Sequence, residues 1–288
     1  MSAPFLVIVT YNIYEVYRMN LTNVKEKVPV GGGDINRAYK LVLNDGTKLF
    51  LKSNQGKSES FFAAEAHGLK AIADTKSIGV PHIIDRDKDN LLMEWIDPAR
   101  RIPDYWETFS RELASMHKVP QKYFGFPEDN YIGLRPQINT PHDSWISFFR
   151  ECRLEPQFRA AWSRFGEEDH RRITQLLDRL GDLLVEPKSP SLLHGDLWGG
   201  NFTTGPDGKA WLVDPAVSYG HREADLAMTE LFGGFDPKFY GAYEEAFPLK
   251  PGYEERKDLY NLYHLLNHLN MFGGGYYYSV VDIIRRYA

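Results

Sequence analysis

Residues His194-Gly195-Asp196-Leu197-Trp198-Gly199-Gly200-Asn201 decide how this chain is read. An aspartate with an asparagine five positions on, behind a His-Gly pair, permits a division of labour. One carboxylate can face a hydroxyl while a nearby amide oxygen binds a metal, which is the arrangement that phosphoryl transfer requires. Four fixed identities over eight positions arise by chance in a chain of this length on the order of once in a thousand. The competing reading is a polar turn after the apolar strand Ser191-Leu192-Leu193. It weakens as partners for the loop accumulate elsewhere.

Gly31-Gly32-Gly33-Asp34 opens the first strand of a β-hairpin over residues 38–52, which turns at Asn44-Asp45-Gly46. Lacking Cβ atoms, Gly31, Gly32 and Gly33 can bring backbone N–H groups onto phosphate oxygens. Lys52 ends the second strand of that hairpin. A helix predicted over residues 59–73 puts Phe61, Glu65, Gly68 and Ile72 on one face. A carboxylate on a core-facing stripe is costly unless paired, and Lys52 on the adjoining strand is its natural partner. That pair would aim the lysine at the α- and β-phosphates of a nucleotide. Asp214 follows the apolar run Trp211-Leu212-Val213 and precedes Pro215. With Asn201 it offers two oxygen ligands to Mg²⁺, whose octahedron phosphate oxygens and waters would complete. His194 and Asp225 read as supports of the loop, not as reacting groups. Taken singly, the glycines suit a flexible turn, Lys52 a snorkelling surface lysine, and Asp214-Pro215 an Asx-type turn. Their order along the chain favours one common site.

Composition sets the bounds. The chain has 288 residues, 43% apolar and 25% charged, enough for one large or two modest globular domains. A net charge of -5 and a pI near 6.0 give no electrostatic footprint for nucleic acid or an acidic membrane surface. No stretch approaches the ~20 apolar residues of a membrane span. The lone Cys152 allows no intramolecular disulfide and no cysteine-rich metal site, so a reducing, cytoplasmic location is expected. Residues 1–18 match no pattern. Short strands follow at Ile83-Ile84 and Leu91-Leu92-Met93-Glu94, and Asp97-Pro98 breaks the chain. Beyond it, helices are predicted over residues 105–118, 145–153, 170–184 and 257–272, interrupted by short strand pairs near 191–194 and 210–214. The chain thus reads as α+β and bilobal, with a small β-rich lobe over residues 1–96 and a larger, mainly helical lobe over 97–288. A ligand is expected in the cleft between them.

Two features disfavour a peptide acceptor. Ten residues separate Asp214 from the helix near Ala224, too few for a long activation segment. Trp198 also stands where protein kinases usually place a lysine that assists the transferring phosphate. Over residues 27–288 the chain resembles the fructosamine/ketosamine-3-kinase family, within the aminoglycoside-phosphotransferase-like, protein-kinase-like fold. The likeness rests on Gly31-Gly32-Gly33-Asp34-Ile35-Asn36-Arg37-Ala38-Tyr39, on the loop quoted above, and on Asp214-Pro215-Ala216. It continues through Tyr219-Gly220-His221-Arg222-Glu223-Ala224-Asp225 to Phe232-Gly233-Gly234-Phe235, and through Leu262-Tyr263-His264-Leu265-Leu266-Asn267-His268.

The resemblance implies ATP-dependent phosphorylation of the C3 hydroxyl of a ketosamine, a fructosamine or ribulosamine, free or protein-bound. It implies Asp196 as the base, Asn201 and Asp214 as Mg²⁺ ligands, and Lys52 and Glu65 on the phosphates. The backbone around Glu94, Trp95 and Ile96 would meet adenine. A phosphate at C3 is a good leaving group, so the amine would be freed without a hydrolase. For the acceptor pocket the resemblance suggests Trp198, His264 and His268; core packing of Trp198 and metal binding by the histidine pair are the competing readings. The glycine run carries no cysteine, so no redox switch is expected there. Kinases of the same fold acting on an aminoglycoside, choline or a thiosugar, and a nucleotide-binding pseudokinase, are the alternatives.

Overall fold

The computed structural model describes residues 23–31 and 36–288. The unmatched stretch 1–18, and Gly32 and Gly33 of the glycine run, lie outside the described residues. The first elements are β1 (Val24–Val30), β2 (Arg37–Leu43), β3 (Lys48–Ser53), α1 (Ser60–Asp74), β4 (Ile83–Arg86) and β5 (Asn90–Glu94). They form an antiparallel five-stranded sheet in the order β1-β2-β3-β5-β4. The β2–β3 turn closes as expected, with Leu43 N–H donating to Thr47 O at 2.8 Å and Gly46 at φ 86°. Alternation sends Leu41, Leu43, Leu49, Leu51 and Leu92 to one apolar cluster. Leu91 and Met93, on the other face, pack with Phe61, Phe62, Ala66 and Leu69 of α1.

β1 is an addition to the expected elements: a strand precedes the glycine run, which still lies ahead of β2, the first strand of the hairpin. β1 escaped notice because most of its residues are exposed. An edge strand with little burial shows no period-two signal.

After Asp97-Pro98 come α2 (Tyr105–His117), β6 (Asn130–Ile132), β7 (Arg135–Gln137) and α3 (Trp145–Phe148). A π-helical segment (Phe149–Leu154) leads into α4 (Glu155–Ala161), then α5 (Glu167–Asp178) and α6 (Leu180–Leu183). The helix expected over 145–153 therefore continues to residue 161. Next are β8 (Ser191–Leu193), β9 (Phe202–Thr204), β10 (Ala210–Leu212) and β11 (Ser218–Gly220). β8 pairs with β11, β9 with β10, and β6 with β7, all antiparallel. The chain ends in α7 (Glu223–Leu231), α8 (Pro237–Ala246), α9 (Tyr253–Phe272) and α10 (Tyr277–Tyr287). Two aromatic-rich cores fill this helical part, one around Trp145, Phe149 and Tyr260, the other around Phe109, Phe235 and Phe239. No helix of the described residues is long and apolar enough to cross a membrane.

Candidate active site

The loop after β8 is held from behind. Asp225, near the start of α7, accepts the His194 N–H at 2.7 Å and the Gly195 N–H at 2.8 Å. His117 Nε2 approaches the same carboxylate at 3.2 Å, and His117 Nδ1 meets Tyr243 Oη at 2.7 Å. Burial alone would raise the Asp225 pKa, but these bonds outweigh it and hold the carboxyl below its usual range. His194 is fully buried. Its Nδ1 accepts the Asp196 N–H at 3.3 Å, so Nε2 carries the hydrogen and donates to Val213 O at 3.0 Å. Burial lowers its pKa, keeping the ring neutral. Both residues are scaffolding for the loop. Gly195 stands at φ +81°, and a Cβ there would lie 2.0 Å from Ala216 O. Nothing larger than glycine fits at that crossing.

Asp196 is half-buried at the mouth of the loop. Asn201 Nδ2 donates to its backbone O at 2.8 Å and to Oδ2 at 2.9 Å. Burial, with the Asp214 charge adding and Asn201 opposing, pushes the Asp196 carboxyl up to about 7. A carboxylate poised near neutral pH is matched to accepting a hydroxyl proton.

Lys52 crosses from the sheet into this region. It is 5% exposed, donates to Glu65 Oε1 of α1 at 2.6 Å, and also bonds Asp214 Oδ1. Burial favours a neutral amine, but Asp214 and Glu65 together outweigh it, so the pKa rises and Lys52 stays an ammonium. Asp214 adopts a left-handed backbone, φ 55°, which aspartate tolerates better than most residues. Its side chain is 47% exposed.

The two proposed metal ligands fit a hard divalent cation. Asn201 spends its amide N–H groups on Asp196, which leaves the carbonyl Oδ1 without a partner among the described residues. Asp214 keeps a carboxylate oxygen beyond the one bound to Lys52. Two such oxygens are what Mg²⁺ takes from a protein when phosphates and waters supply the rest.

Glu94, Trp95 and Ile96 lie where the sheet passes into the helical part. Glu94 is fixed by its Oε1, which accepts the His82 N–H at 2.6 Å, and by its N–H on His82 O at 2.9 Å. Trp95 Nε1 donates to Asp97 Oδ1 at 2.9 Å, and Lys40 Nζ sits 4.5 Å over the Trp95 ring. Gly31 leaves β1 with nothing within 4 Å of where its Cβ would be.

Trp198 is not in the core. It is 38% exposed and stands edge-on to Phe232, ring centres 6.0 Å apart. Phe232 meets His268 at 5.2 Å, and His268 meets Phe272 at 5.6 Å and Tyr276 at 5.1 Å. An aromatic wall thus extends from Trp198, two residues along the loop from Asp196. His268 belongs to it, whereas His264 is 5% exposed and turned inward. Burial, with His268 adding, lowers the His264 pKa to about 3. Among the described residues no group of three His, Cys, Asp or Glu side chains could hold a metal, which leaves the histidine pair without a third ligand.

Spacing gave no warning of several supports. Asn130 Nδ2 donates to Val217 O at 2.8 Å and Gln137 Nε2 to Ala216 O at 3.0 Å, fastening the segment after Asp214. They lie on a short polar hairpin with no periodicity to read. Phe232 was visible only as an aromatic before a Gly-Gly pair. Cys152 is buried, and burial raises its thiol pKa, which disfavours the reactive thiolate.

The profile of the fructosamine kinase family matches residues 10–288. A probable ketoamine kinase of Synechocystis is 42% identical over 271 residues, covering 91% of this chain and 90% of that protein. The chloroplastic protein-ribulosamine 3-kinase of Arabidopsis thaliana is 38% identical over 278 residues, covering 92% of this chain and 83% of that protein. A structure from Thermobifida fusca, solved under the proposed name fructosamine-3-kinase, is 37% identical with a TM-score of 0.83, covering 91% of this chain and 93% of that one. An ADP-bound aminoglycoside phosphotransferase, at 12% identity and a TM-score of 0.61 over 92% of this chain and 93% of that one, shares the fold alone.

Proposed function

The chain belongs to the fructosamine kinase family, and from that premise we propose that it transfers the γ-phosphoryl group of ATP to the C3 hydroxyl of a ketosamine. Asp196 takes the hydroxyl proton as the oxygen attacks phosphorus, the bond to the β–γ bridging oxygen breaks, and ADP departs. Lys52, aimed by Glu65, steadies the α- and β-phosphates. Asn201 and Asp214 would hold Mg²⁺, which neutralises charge on the phosphates when bound. Trp198 and Phe232 offer ring faces to a sugar. Backbone about Gly31 and about Glu94, Trp95 and Ile96 flanks the nucleotide. Loss of a proton from C1 and of phosphate from C3 then leaves a product that water cleaves, freeing the amine, so the reaction is a deglycation step. A cytoplasmic location belongs to the same proposal, supported by the single buried thiol.

One observation carries this reading. A carboxyl raised to about 7, Asp196, sits against the amide of Asn201 and two residues from an exposed tryptophan. The aromatic wall suits a compact sugar carrying a single amine better than a polycationic aminoglycoside, which asks for acidic walls. ADP release from Mg·ATP with a ribulosamine or a fructosamine tests the proposal, and no turnover with either would end it. Asp196→Asn is expected to lower kcat by several orders of magnitude, about the loss seen for a catalytic base, with ATP affinity nearly unchanged. Biological activity that survived this substitution would favour a pseudokinase.

A further inference from the structure

Behind the catalytic loop lies a small, partly open chamber of mixed polar and apolar lining that the chemistry above does not use. Gly195, Asp225, Trp145 of α3, and Tyr260 and His264 of α9 are among the residues that line it. The space open to a water-sized sphere is about 20 Å³, and one water needs about 10–15 Å³ on this measure. Three buried polar atoms on these walls, Trp145 Nε1, Tyr260 Oη and His264 Nδ1, make no hydrogen bond of good geometry among the described residues. Trp145 and Tyr260 interact weakly with each other, and Tyr260 with the Glu223–Arg256 pair, while His264 Nδ1 has nothing. Folded interiors keep only a few such atoms, and three around one chamber point to a missing partner.

The three are complementary. An indole N–H only donates, a phenol does both, and a neutral imidazole nitrogen can accept. Asp225 adds a carboxylate already committed to the loop N–H groups at 2.7 and 2.8 Å, with lone pairs to spare.

We infer that the chamber is a built hydration site, in which one ordered water accepts from Trp145 Nε1 and donates to His264 Nδ1 and to the Asp225 carboxylate, with Tyr260 Oη beside it. The water fastens α3 and α9 to the group that holds the His194 and Gly195 amides. Trp145 and His264 are then positioning residues for the loop that presents Asp196. The inference stands whatever the acceptor proves to be.

A crystal structure of the wild-type protein tests it first. A fully occupied water within about 3 Å of Trp145 Nε1 and of one other orphaned atom is expected. An empty chamber overturns the inference. Trp145→Phe keeps a ring and removes the donor. The water should vanish, the Gly195 amide should exchange about threefold to tenfold faster, and kcat should fall by a similar factor with KM for ATP unchanged. Gly195 exchange at the wild-type rate in the folded variant would overturn the positioning role. His264→Leu, which removes the acceptor, carries the same readings should Trp145→Phe fail to fold.

Discussion

Lys52 is buried between carboxylates that come from different parts of the chain, Glu65 of α1 and Asp214 beyond β10. Replacing either side of this arrangement should have unequal effects. Glu65→Gln leaves the ammonium on Asp214 alone and so mis-aims it; kcat/KM for ATP should drop about 10- to 100-fold, as when an orienting partner is lost. Lys52→Met removes the donor proposed to face the phosphates, and kcat should fall about 10²–10³-fold. Steady-state kinetics with Mg·ATP separates the two. A Lys52→Met enzyme with wild-type kcat would take the lysine out of the phosphate site. The pair was legible from sequence because a carboxylate in the apolar stripe of Phe61, Gly68 and Ile72 demands a cation nearby. The acceptor side was not. His264 and His268 share a spacing that says nothing about which faces the wall and which the interior. Trp198 could equally have been core, and packing against Phe232 decided otherwise.

Between α3 and α4, Pro156 removes a backbone donor and crowds the carbonyl four residues back, which ordinarily stops a helix. The helix passes through instead by widening. Over Phe149–Leu154 the turns are π-helical, and Glu155 N–H reaches Arg150 O. Such local widenings have no period that a sequence reveals. Cys152 O, which Pro156 cannot serve, receives Arg153 Nη1 at 3.1 Å. The same guanidinium reaches Ile138 O at 2.5 Å and Asn139 Oδ1 at 2.8 Å, and lies 4.5 Å over the Phe148 ring. Arg153 thus replaces the missing helical bond and ties the helix to the strand of Gln137. Arg153→Met should cost at least about 2 kcal/mol, because it leaves buried acceptors unpaired. Urea unfolding measures this, and a change below a few tenths would show that water serves those carbonyls as well. The β2–β3 hairpin and α1 were legible because half-buried elements carry their period in the chain; β1 and the β6–β7 hairpin lack that alternation and exist through their partners.

Stability against acid should depend on histidines that the fold keeps neutral. His194 follows β8, His221 precedes α7, and His264 lies within α9, so together they join the catalytic loop to both helical cores. Burial lowers the pKa of each, and for His264 to about 3, with His268 and Arg153 adding and Asp225 opposing. In the unfolded chain a histidine takes its proton near pH 6.5. Below that value the unfolded state binds protons that the folded state refuses. A depressed folded pKa therefore means stability that is complete above about pH 6.5 and is lost as the pH falls toward the folded value. The loss is about 1.4 kcal/mol per pH unit for each such histidine. Asp225, also depressed, acts in the same direction but only as the pH falls below about 4. Over pH 6.5 to 4.5 these histidines, joined by the depressed His268, are opposed by Asp196, whose carboxyl, raised to about 7 in the fold, takes a proton that the unfolded chain does not. Urea unfolding across this interval should show a free energy that falls with the histidine protons less about one proton for Asp196. His264→Leu should remove about one proton from that slope, since the unfolded chain then has one fewer group to charge. A slope in His264→Leu equal to that of the wild type would mean that this ring is protonated inside the fold.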